Sequence, residues 1–189
     1  SEEDLKKQAP FILLIRGHIR TSFSNNNLYL LVKNMYNMYP KLEIIISTFN
    51  IVQNNISWRE INTIDIHVDE EFINNYFKDL SHLIKKKIII DDTKIDLIGN
   101  LKGKVANSKA PLIGWKNYWY SKFQGIEYIN NNNKSKNISV LNFRFDIFNN
   151  SNNIQPNFIL KLLFDNKSKL LKKNIFYKNY ECTGIDNIY

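Results

Sequence analysis

Short apolar runs alternate along this chain with stretches whose apolar residues recur at helical spacing. The run at 11–15 predicts a buried strand, and the apolar run at 42–47 predicts a second one. Between them, apolar residues at helical spacing over 24–39 predict a helix that ends at Pro40. A strand, a helix and a further strand form the unit from which parallel sheets are built.

The middle of the chain repeats this alternation. The segment 64–68 alternates polar and apolar residues, which predicts a half-buried strand. Asp69 is a predicted N-cap of a helix whose last turn carries Lys85–Lys87, because cations suit the negative end of a helix. A turn at Asp91 and a short strand at 95–98 are predicted to follow.

The second half of the chain contains a long predicted helix from Pro111 to about Asn130, a strand at 138–143 and a last helix from Pro156. The long helix is predicted to bury one apolar stripe, formed by Trp115, Trp119, Phe123, Ile126 and Ile129. Together these elements predict an α/β fold with a Rossmann-like, mostly parallel sheet and helices on both faces.

One domain fits this length. We expect residues 1–9 to be frayed and residues 10–189 to form a single α/β domain that is cut at its C terminus. No signal peptide and no apolar run long enough to span a membrane is visible, so we expect an intracellular, cytoplasmic protein. The single Cys182 excludes an internal disulfide framework and a cysteine-based zinc site.

The formal net charge of +8 suits a partner that is nucleic acid, an anionic membrane or a phosphorylated molecule. Most basic residues are Lys, however, and Arg occurs at only four positions. Arg16, Arg20 and Arg144 follow predicted buried strands. The planar guanidinium can bind a phosphate through two parallel hydrogen bonds. The carboxyl ends of strands are where open α/β folds bind ligands.

Two segments at strand ends are therefore candidate sites. In the first, Gly17 allows a tight turn between Arg16 and Arg20, and the following helix offers N–H groups to a phosphate; the alternative is a turn with two surface arginines. In the second, Asp146 is a candidate metal ligand, and the alternative is an ion pair with Arg144. Trp58, in a polar loop, is interpreted either as a platform for a sugar or as a core residue.

Five short motifs along the chain carry a resemblance to a known family. They are Gly-His-Ile-Arg at 17–20, Ser-Thr-Phe-Asn at 47–50, Trp-Tyr-Ser-Lys at 119–122, Arg-Phe-Asp at 144–146 and Asp-Asn-Ile-Tyr at 186–189. Their order and spacing resemble those of polysaccharide-type glycosyltransferases, which occur in bacterial surface-glycan clusters and in giant DNA viruses. Residues 11–189 are covered by the resemblance.

The resemblance implies a GT-A-like fold that binds a nucleotide-diphosphate sugar donor and transfers the sugar to a glycan or protein acceptor. It implies Mn²⁺ or Mg²⁺ near Asp146. From its polar loop, and apart from the resemblance, Trp58 is the predicted sugar or acceptor contact. The residues that it places at the donor are Arg16, Gly17, His18, Arg20, Thr48, Asn50 and Arg144. No catalytic base is predicted.

Two alternatives belong to other classes of function. A basic nucleic-acid-binding module needs Lys and aromatic side chains interleaved on one surface, whereas the aromatic residues here follow helical stripes, so nucleic acid is not the expected partner. A non-catalytic domain that binds a glycan or a protein partner is the other alternative.

Overall fold

A computed structural model describes residues 10–53, 65–106, 108–134 and 138–148, together with Lys161. These residues form a four-stranded, wholly parallel sheet with the strand order β3-β2-β1-β4. The strands are β1 (Phe11–Arg16), β2 (Leu42–Phe49), β3 (Ile84–Ile90) and β4 (Ser139–Arg144). The helices are α1 (Asn27–Met38), α2 (Glu70–Phe77) and α3 (Leu112–Asn132), with 3₁₀ turns at Ser22–Ser24 and Lys78–Leu83.

The helices lie on both faces of the sheet, which confirms the predicted α/β, Rossmann-like fold. The chain steps from β1 to β2 and then to β3 in one direction, and right-handed connections therefore place α1 and α2 on the same face. It then crosses back to β4 on the far side of β1, so α3 lies on the opposite face. Two separate hydrophobic clusters, one on each face, reflect this arrangement.

The face under α1 and α2 holds the larger cluster. On β1 it takes Phe11, Leu13 and Ile15, which alternate along the strand and point to one side. The predicted helical stripe of α1 is buried against them, through Leu28, Leu31, Val32 and Met35. Residues of α2 complete this layer. The predicted N-cap of α2 is also confirmed, since the Asp69 carboxylate accepts a 2.8 Å hydrogen bond from the Phe72 N–H.

Three local predictions in the middle of the chain are wrong. Lys85–Lys87 lie in β3 and do not end a helix, because α2 stops at Phe77. Since β3 is an edge strand among the described ones, Lys85 and Lys86 point into solvent there, where Lys also discourages pairing with other chains. Residues 95–98 form no strand, and of the predicted strand at 64–68, the described part holds only a single bridge from His67 to Ile51.

The predicted buried stripe of α3 is the largest correction. Trp115, Trp119, Phe123 and Ile126 are exposed, and of that stripe only Ile129 is buried. The helix instead packs on the sheet through small or polar residues, which are Asn117, Ser121 and Gly125. Gly125 lies so close to Leu14 of β1 that an added Cβ would fall 2.5 Å from the leucine Cδ1. Small side chains bring this helix near the sheet, and at Gly125 a larger side chain would overlap Leu14.

Candidate functional site

The candidate site lies at the carboxyl ends of β1, β2 and β4. In the register of the sheet Arg16 lies directly opposite Ser47 on one side and Arg144 on the other, so the segments that leave these three strands start side by side. The connection after β1 leads to α1 on one face, whereas β4 is reached from α3 on the opposite face. Such a change of face between adjacent strands is where open α/β sheets form a ligand crevice.

Arg16 is turned into the protein and is wholly buried. Its Nε donates a 2.8 Å hydrogen bond to Oδ1 of Asn142, and its Nη2 lies 3.1 Å from the Tyr118 hydroxyl oxygen. The alternation of β1 puts Arg16 on the same side as Ile12 and Leu14, beneath α3. The prediction that Arg16 grips a phosphate therefore does not fit this arrangement, in which its guanidinium joins β1, β4 and α3.

The turn after β1 has an unusual backbone. Gly17 has φ of 90°, and its N–H continues the ladder with a 3.0 Å bond to the Ser47 carbonyl oxygen. The buried Thr48 hydroxyl donates to the Gly17 carbonyl oxygen at 2.7 Å, so Thr48 holds the turn from inside the protein. A Cβ on Gly17 would meet nothing within 4 Å, which leaves open space above the turn. The predicted turn at Gly17 is thus present. Thr48, which the resemblance places at the donor, instead lies beneath this turn and supports it.

The first helix does not offer its N terminus at this turn. Residues 17–26, with one 3₁₀ turn, separate β1 from α1. In the first turn of α1, the Tyr29 N–H already donates to the Tyr76 hydroxyl at 3.1 Å. The predicted phosphate contact at a helix N terminus therefore has no counterpart here.

Arg20 and Arg144 meet on one carboxylate. Asp146 Oδ2 accepts a 2.8 Å hydrogen bond from Arg144 Nη2 and lies 3.8 Å from Arg20 Nε. The side chains of Arg20 and Arg144 are 31% and 24% exposed, whereas that of Asp146 is 9% exposed. Burial lowers the pKa of Arg20 and Arg144 adds to this, while Asp146 opposes it. The group therefore carries one net positive charge, and its two guanidinium groups are more exposed to solvent than its carboxylate.

Arg20 also occupies a strained conformation. Its φ is 51°, in the left-handed region that residues with a Cβ seldom adopt, and its N–H is fixed by a 2.8 Å bond to the Val52 carbonyl oxygen. Such outliers persist where the surrounding structure imposes them, and they concentrate at functional sites. The backbone thus directs this guanidinium towards Asp146 and Arg144.

His18 lies beside this group as a neutral imidazole. Its ring stacks on Phe49 with the two centroids 4.0 Å apart, and its Nε2 is buried without a hydrogen-bond partner among the described residues. Burial lowers its pKa to about 3, with smaller contributions from the charges of Arg20 and Arg144. A buried nitrogen with no partner is uncommon in folded proteins, and either a water molecule or a ligand atom can satisfy it.

The described residues do not fit the predicted divalent cation. In the described ranges no group of three or more His, Cys, Asp and Glu side chains comes together. Asp146 is the one carboxylate at the site's centre, and its Oδ2 is engaged by two guanidinium groups. Mg²⁺ at phosphate sites is held by one or two carboxylates together with the phosphates, but here two guanidinium groups already share the Oδ2 of this carboxylate, so Asp146 acts as the partner of the arginines.

The other predicted site residues are Asn50, Trp58 and the motif at 186–189. Asn50 anchors two segments through its backbone, with its N–H donating to Ile90 and its carbonyl oxygen accepting from Val68, both at 2.8 Å. Trp58 and the motif at 186–189 lie outside the described residues. Asn142 and Tyr118, which hold Arg16, were missed by the sequence reasoning. The signal that could have identified Asn142 is an Asn within the predicted buried strand at 138–143.

No family model, curated protein or solved structure matches this chain. The resemblance to glycosyltransferases thus stays a prediction from short motifs. In the part of the chain that the structure describes, no helix has the length and apolar character needed to span a bilayer.

Proposed function

We propose that this domain binds the diphosphate of a nucleotide-sugar at Arg20 and Arg144 and transfers the sugar to a glycan or protein acceptor. The observation that carries the proposal is the pair of partly exposed guanidinium groups at the carboxyl edge of a parallel sheet. The unpartnered Nε2 of His18 and the open space above Gly17 lie in the same loop. The order of the motifs supports the choice of a sugar donor over other diphosphates.

The arrangement suits the chemistry of the leaving group. When the bond between the sugar and the diphosphate breaks, negative charge grows on the diphosphate oxygens, and fixed cations stabilise that charge. Guanidinium groups bind such oxygens through paired hydrogen bonds. Asp146 holds Arg20 and Arg144 in place before the ligand arrives, so little reorganisation is required. Since the described residues do not fit a metal, the proposal assigns the neutralisation of charge to these arginines.

The first experiment identifies the donor. Thermal shift measurements with UDP-, GDP-, dTDP- and CMP-sugars, each with and without Mn²⁺, should show stabilisation by one nucleotide class. A ligand at about 100 times its dissociation constant adds about 2.7 kcal/mol to the free energy of unfolding, which is easily detected. We expect the shift to occur without Mn²⁺. No shift with any nucleotide-sugar at millimolar concentration, combined with binding of a free glycan, would favour the non-catalytic alternative.

The second experiment tests the two arginines with matched substitutions. Arg20→Lys and Arg144→Lys keep the net charge and remove the planar fork, and Lys109→Ala on an exposed loop serves as the control. A hydrogen bond to a charged group contributes roughly 1.5–3 kcal/mol, so each Arg→Lys variant should bind the donor about tenfold more weakly or worse. The control should bind like the parent in calorimetric titration. Parent-like affinity in both Arg→Lys variants would overturn the proposal.

Asp146→Asn separates the two roles that the carboxylate can have. If Asp146 is the partner of the arginines, donor binding is independent of Mn²⁺ in both the parent and the variant. If it is a metal ligand, the parent binds more tightly with Mn²⁺ and the variant loses that gain. If Mn²⁺ tightens donor binding in the parent but not in Asp146→Asn, Asp146 has the metal-binding role that the family resemblance implies.

A further inference from the structure

A basic segment of the chain leads from β3 into α3. Between Asp96 and Glu127 it carries five lysines and no acidic residue, although the whole chain has 18 acidic residues for 26 basic ones. Three of these lysines are exposed on the connection between β3 and α3, and we call them the lysine cluster: Lys102, Lys104 and Lys109. Because no acidic residue of the segment offsets their charge, the cluster presents a positive surface to solvent.

The connection that carries the cluster has a defined fold. Residue 107 lies outside the described residues, and the residues on either side of it pair as a short hairpin. The Leu112 N–H donates to the Gly103 carbonyl oxygen at 2.9 Å, and the Val105 N–H donates at the same distance to the carbonyl oxygen of Ala110. Gly103 has φ of 99°, which glycine adopts readily. The lysine cluster is therefore carried by a backbone that is tied to the start of α3.

The direction of α3 places this hairpin at the carboxyl edge of the sheet. Tyr118 contacts Arg16, the last residue of β1, whereas Gly125 lies against Leu14 further back in the strand. The helix therefore runs antiparallel to β1, and its N terminus projects past the end of that strand. At a rise of about 1.5 Å per residue, Leu112 lies about 9 Å beyond Tyr118 along the helix.

The arginine site lies on the same side of the sheet as α3. In the register of the parallel strands Arg144 lies opposite Arg16, so both side chains leave the sheet on the face that α3 covers. Arg20 and Arg144 then meet at Asp146. The crevice at the carboxyl edge thus has the arginines on one wall and the hairpin on the other, and both walls carry cations.

The two walls suit two different substrates. A nucleotide-diphosphate sugar carries its negative charge mainly on the diphosphate, which the proposed function assigns to the arginines. The acceptor has to reach the sugar from the same crevice, and the charge of the lysine cluster is left for it. Since a crevice lined with one sign of charge attracts ligands of the opposite sign, the acceptor that fits is acidic. Carboxylates and phosphates are the groups that make a glycan acidic.

We propose that the lysine cluster binds an anionic glycan as the acceptor, with its carboxylate or phosphate groups against the hairpin. The inference rests on the proposed function and adds the chemical class of the acceptor to it. Contacts between exposed charges are weak one by one and are screened by salt. The cluster therefore acts through the sum of its three charges, and binding falls as the salt concentration rises.

Two triple variants with the same loss of charge test the assignment. In the first, every lysine of the cluster is replaced by Gln. The second carries three changes at exposed positions of the opposite, amino edge of the sheet: Lys85→Gln, Lys86→Gln and Lys134→Gln. Each protein is titrated, without a nucleotide, with an oligogalacturonate, a phosphorylated mannose oligosaccharide and an uncharged maltooligosaccharide. The first two probes distinguish carboxylate from phosphate.

The parent should bind at least one of the acidic probes and not the uncharged one. The cluster variant should bind that probe about tenfold more weakly, because it loses three exposed charge contacts, and the amino-edge variant should bind like the parent. Equal losses in the two variants would assign the binding to diffuse charge and overturn the proposal. Failure of the parent to bind either acidic probe would also overturn it, as would tighter binding of a single-stranded oligonucleotide or of phosphatidylserine vesicles.

A measurement on the unmodified chain needs no substitution. Carbodiimide couples the carboxylates of bound oligogalacturonate to nearby lysine amines, and mass spectrometry identifies the lysines that react. If the oligogalacturonate binds, the cluster should react first, and coupling only at other lysines would overturn the proposal. Failure of the inference differs from failure of the proposed function. A protein that binds nucleotide-sugars but no acidic glycan contradicts the inference alone, whereas one that binds acidic glycans but no nucleotide-sugar contradicts both.

Discussion

The two faces of the sheet are covered in different ways. On the first face, α1 and α2 insert large apolar side chains such as Leu31 and Phe77 between themselves and the strands. On the second face, α3 lies on the sheet through Asn117, Ser121 and Gly125, and the hydrophobic cluster there joins only Ile12, Leu14, Ile45 and Ile129. The first face is held mainly by apolar burial, whereas the second combines close backbone approach with buried hydrogen bonds.

The second face is also the polar one. The Ser47 hydroxyl donates to the Ser121 carbonyl oxygen at 2.6 Å, and Arg16 bonds Asn142 of β4 and Tyr118 of α3. Buried polar groups are tolerated when they are hydrogen-bonded, and they then fix one arrangement of the elements that they join. The comparison shows that the apolar residues of a helix are not always the ones that it buries. It also predicts that the two faces respond differently to the same kind of substitution.

The largest expected effect is on the free energy of unfolding, and it should differ between two neighbouring leucines. Leu13 and Leu14 are both fully buried, on the first and second face respectively. Leu13→Ala should lower the free energy of unfolding by about 2–5 kcal/mol, because the large cluster around it cannot collapse into the cavity. Leu14→Ala should cost less, because α3 can move closer to the sheet at Gly125. Urea unfolding measures both. If Leu14→Ala were the more costly change, the contrast between the faces would be broken.

The next effect concerns the close approach of α3. Gly125→Val should lower stability by about 1–3 kcal/mol, since overpacking at Leu14 outweighs the better helix propensity of valine. Gly114→Val in the same helix is the matched control, because a Cβ there meets nothing within 4 Å. This control should leave the melting temperature unchanged or slightly raised.

A double substitution sharpens the same test. If the valine side chain at position 125 clashes with Leu14, the double variant Leu14→Ala/Gly125→Val should lose less free energy of unfolding than the sum of the losses in the two single variants. Strict additivity would show that α3 does not contact Leu14 through Gly125.

The smallest effect, when measured at pH 5.5, is a dependence on pH at the edge of the polar face. The cluster under α1 and α2 is built of hydrophobic residues, whereas His18 is buried with its pKa lowered from 6.5 to about 3. Below about pH 6.5 the unfolded chain takes up a proton that the folded His18 does not, so stability falls as the pH drops towards 3. The fall amounts to about 1.4 kcal/mol per pH unit.

Unfolding of the parent and of His18→Gln at pH 7.5 and pH 5.5 isolates this contribution. Other groups contribute equally to both proteins, so the parent should lose more stability than the variant at the lower pH. The same loss in both proteins would show that His18 becomes protonated in the folded state.

The contrast between the faces also explains how far the sequence reasoning reached. Apolar runs predicted β1, β2 and β4, and helical spacing predicted the buried side of α1, because burial on the first face follows hydrophobicity. The same rule failed for α3, where the buried positions are Gly, Ser and Asn. It failed for β3 as well, because an edge strand carries exposed lysines that resemble the end of a helix.

At the site, the sequence predicted that arginines gather at strand ends but not where their side chains point. Arg16 and Arg144 lie opposite each other in the register, yet the first is buried under α3 and the second reaches Asp146. Strand alternation, helix placement and the turn at Gly17 decide this jointly. Each depends on contacts between residues far apart in the chain, which local patterns do not contain.

The left-handed conformation of Arg20 has a consequence for the stability of this protein. Glycine would adopt a φ of 51° without the steric cost of about 1–2 kcal/mol that a Cβ incurs. Under the proposed function, the arginine keeps a charged side chain here at a cost in stability. Arg20→Gly should therefore relieve backbone strain and remove the guanidinium in a single change.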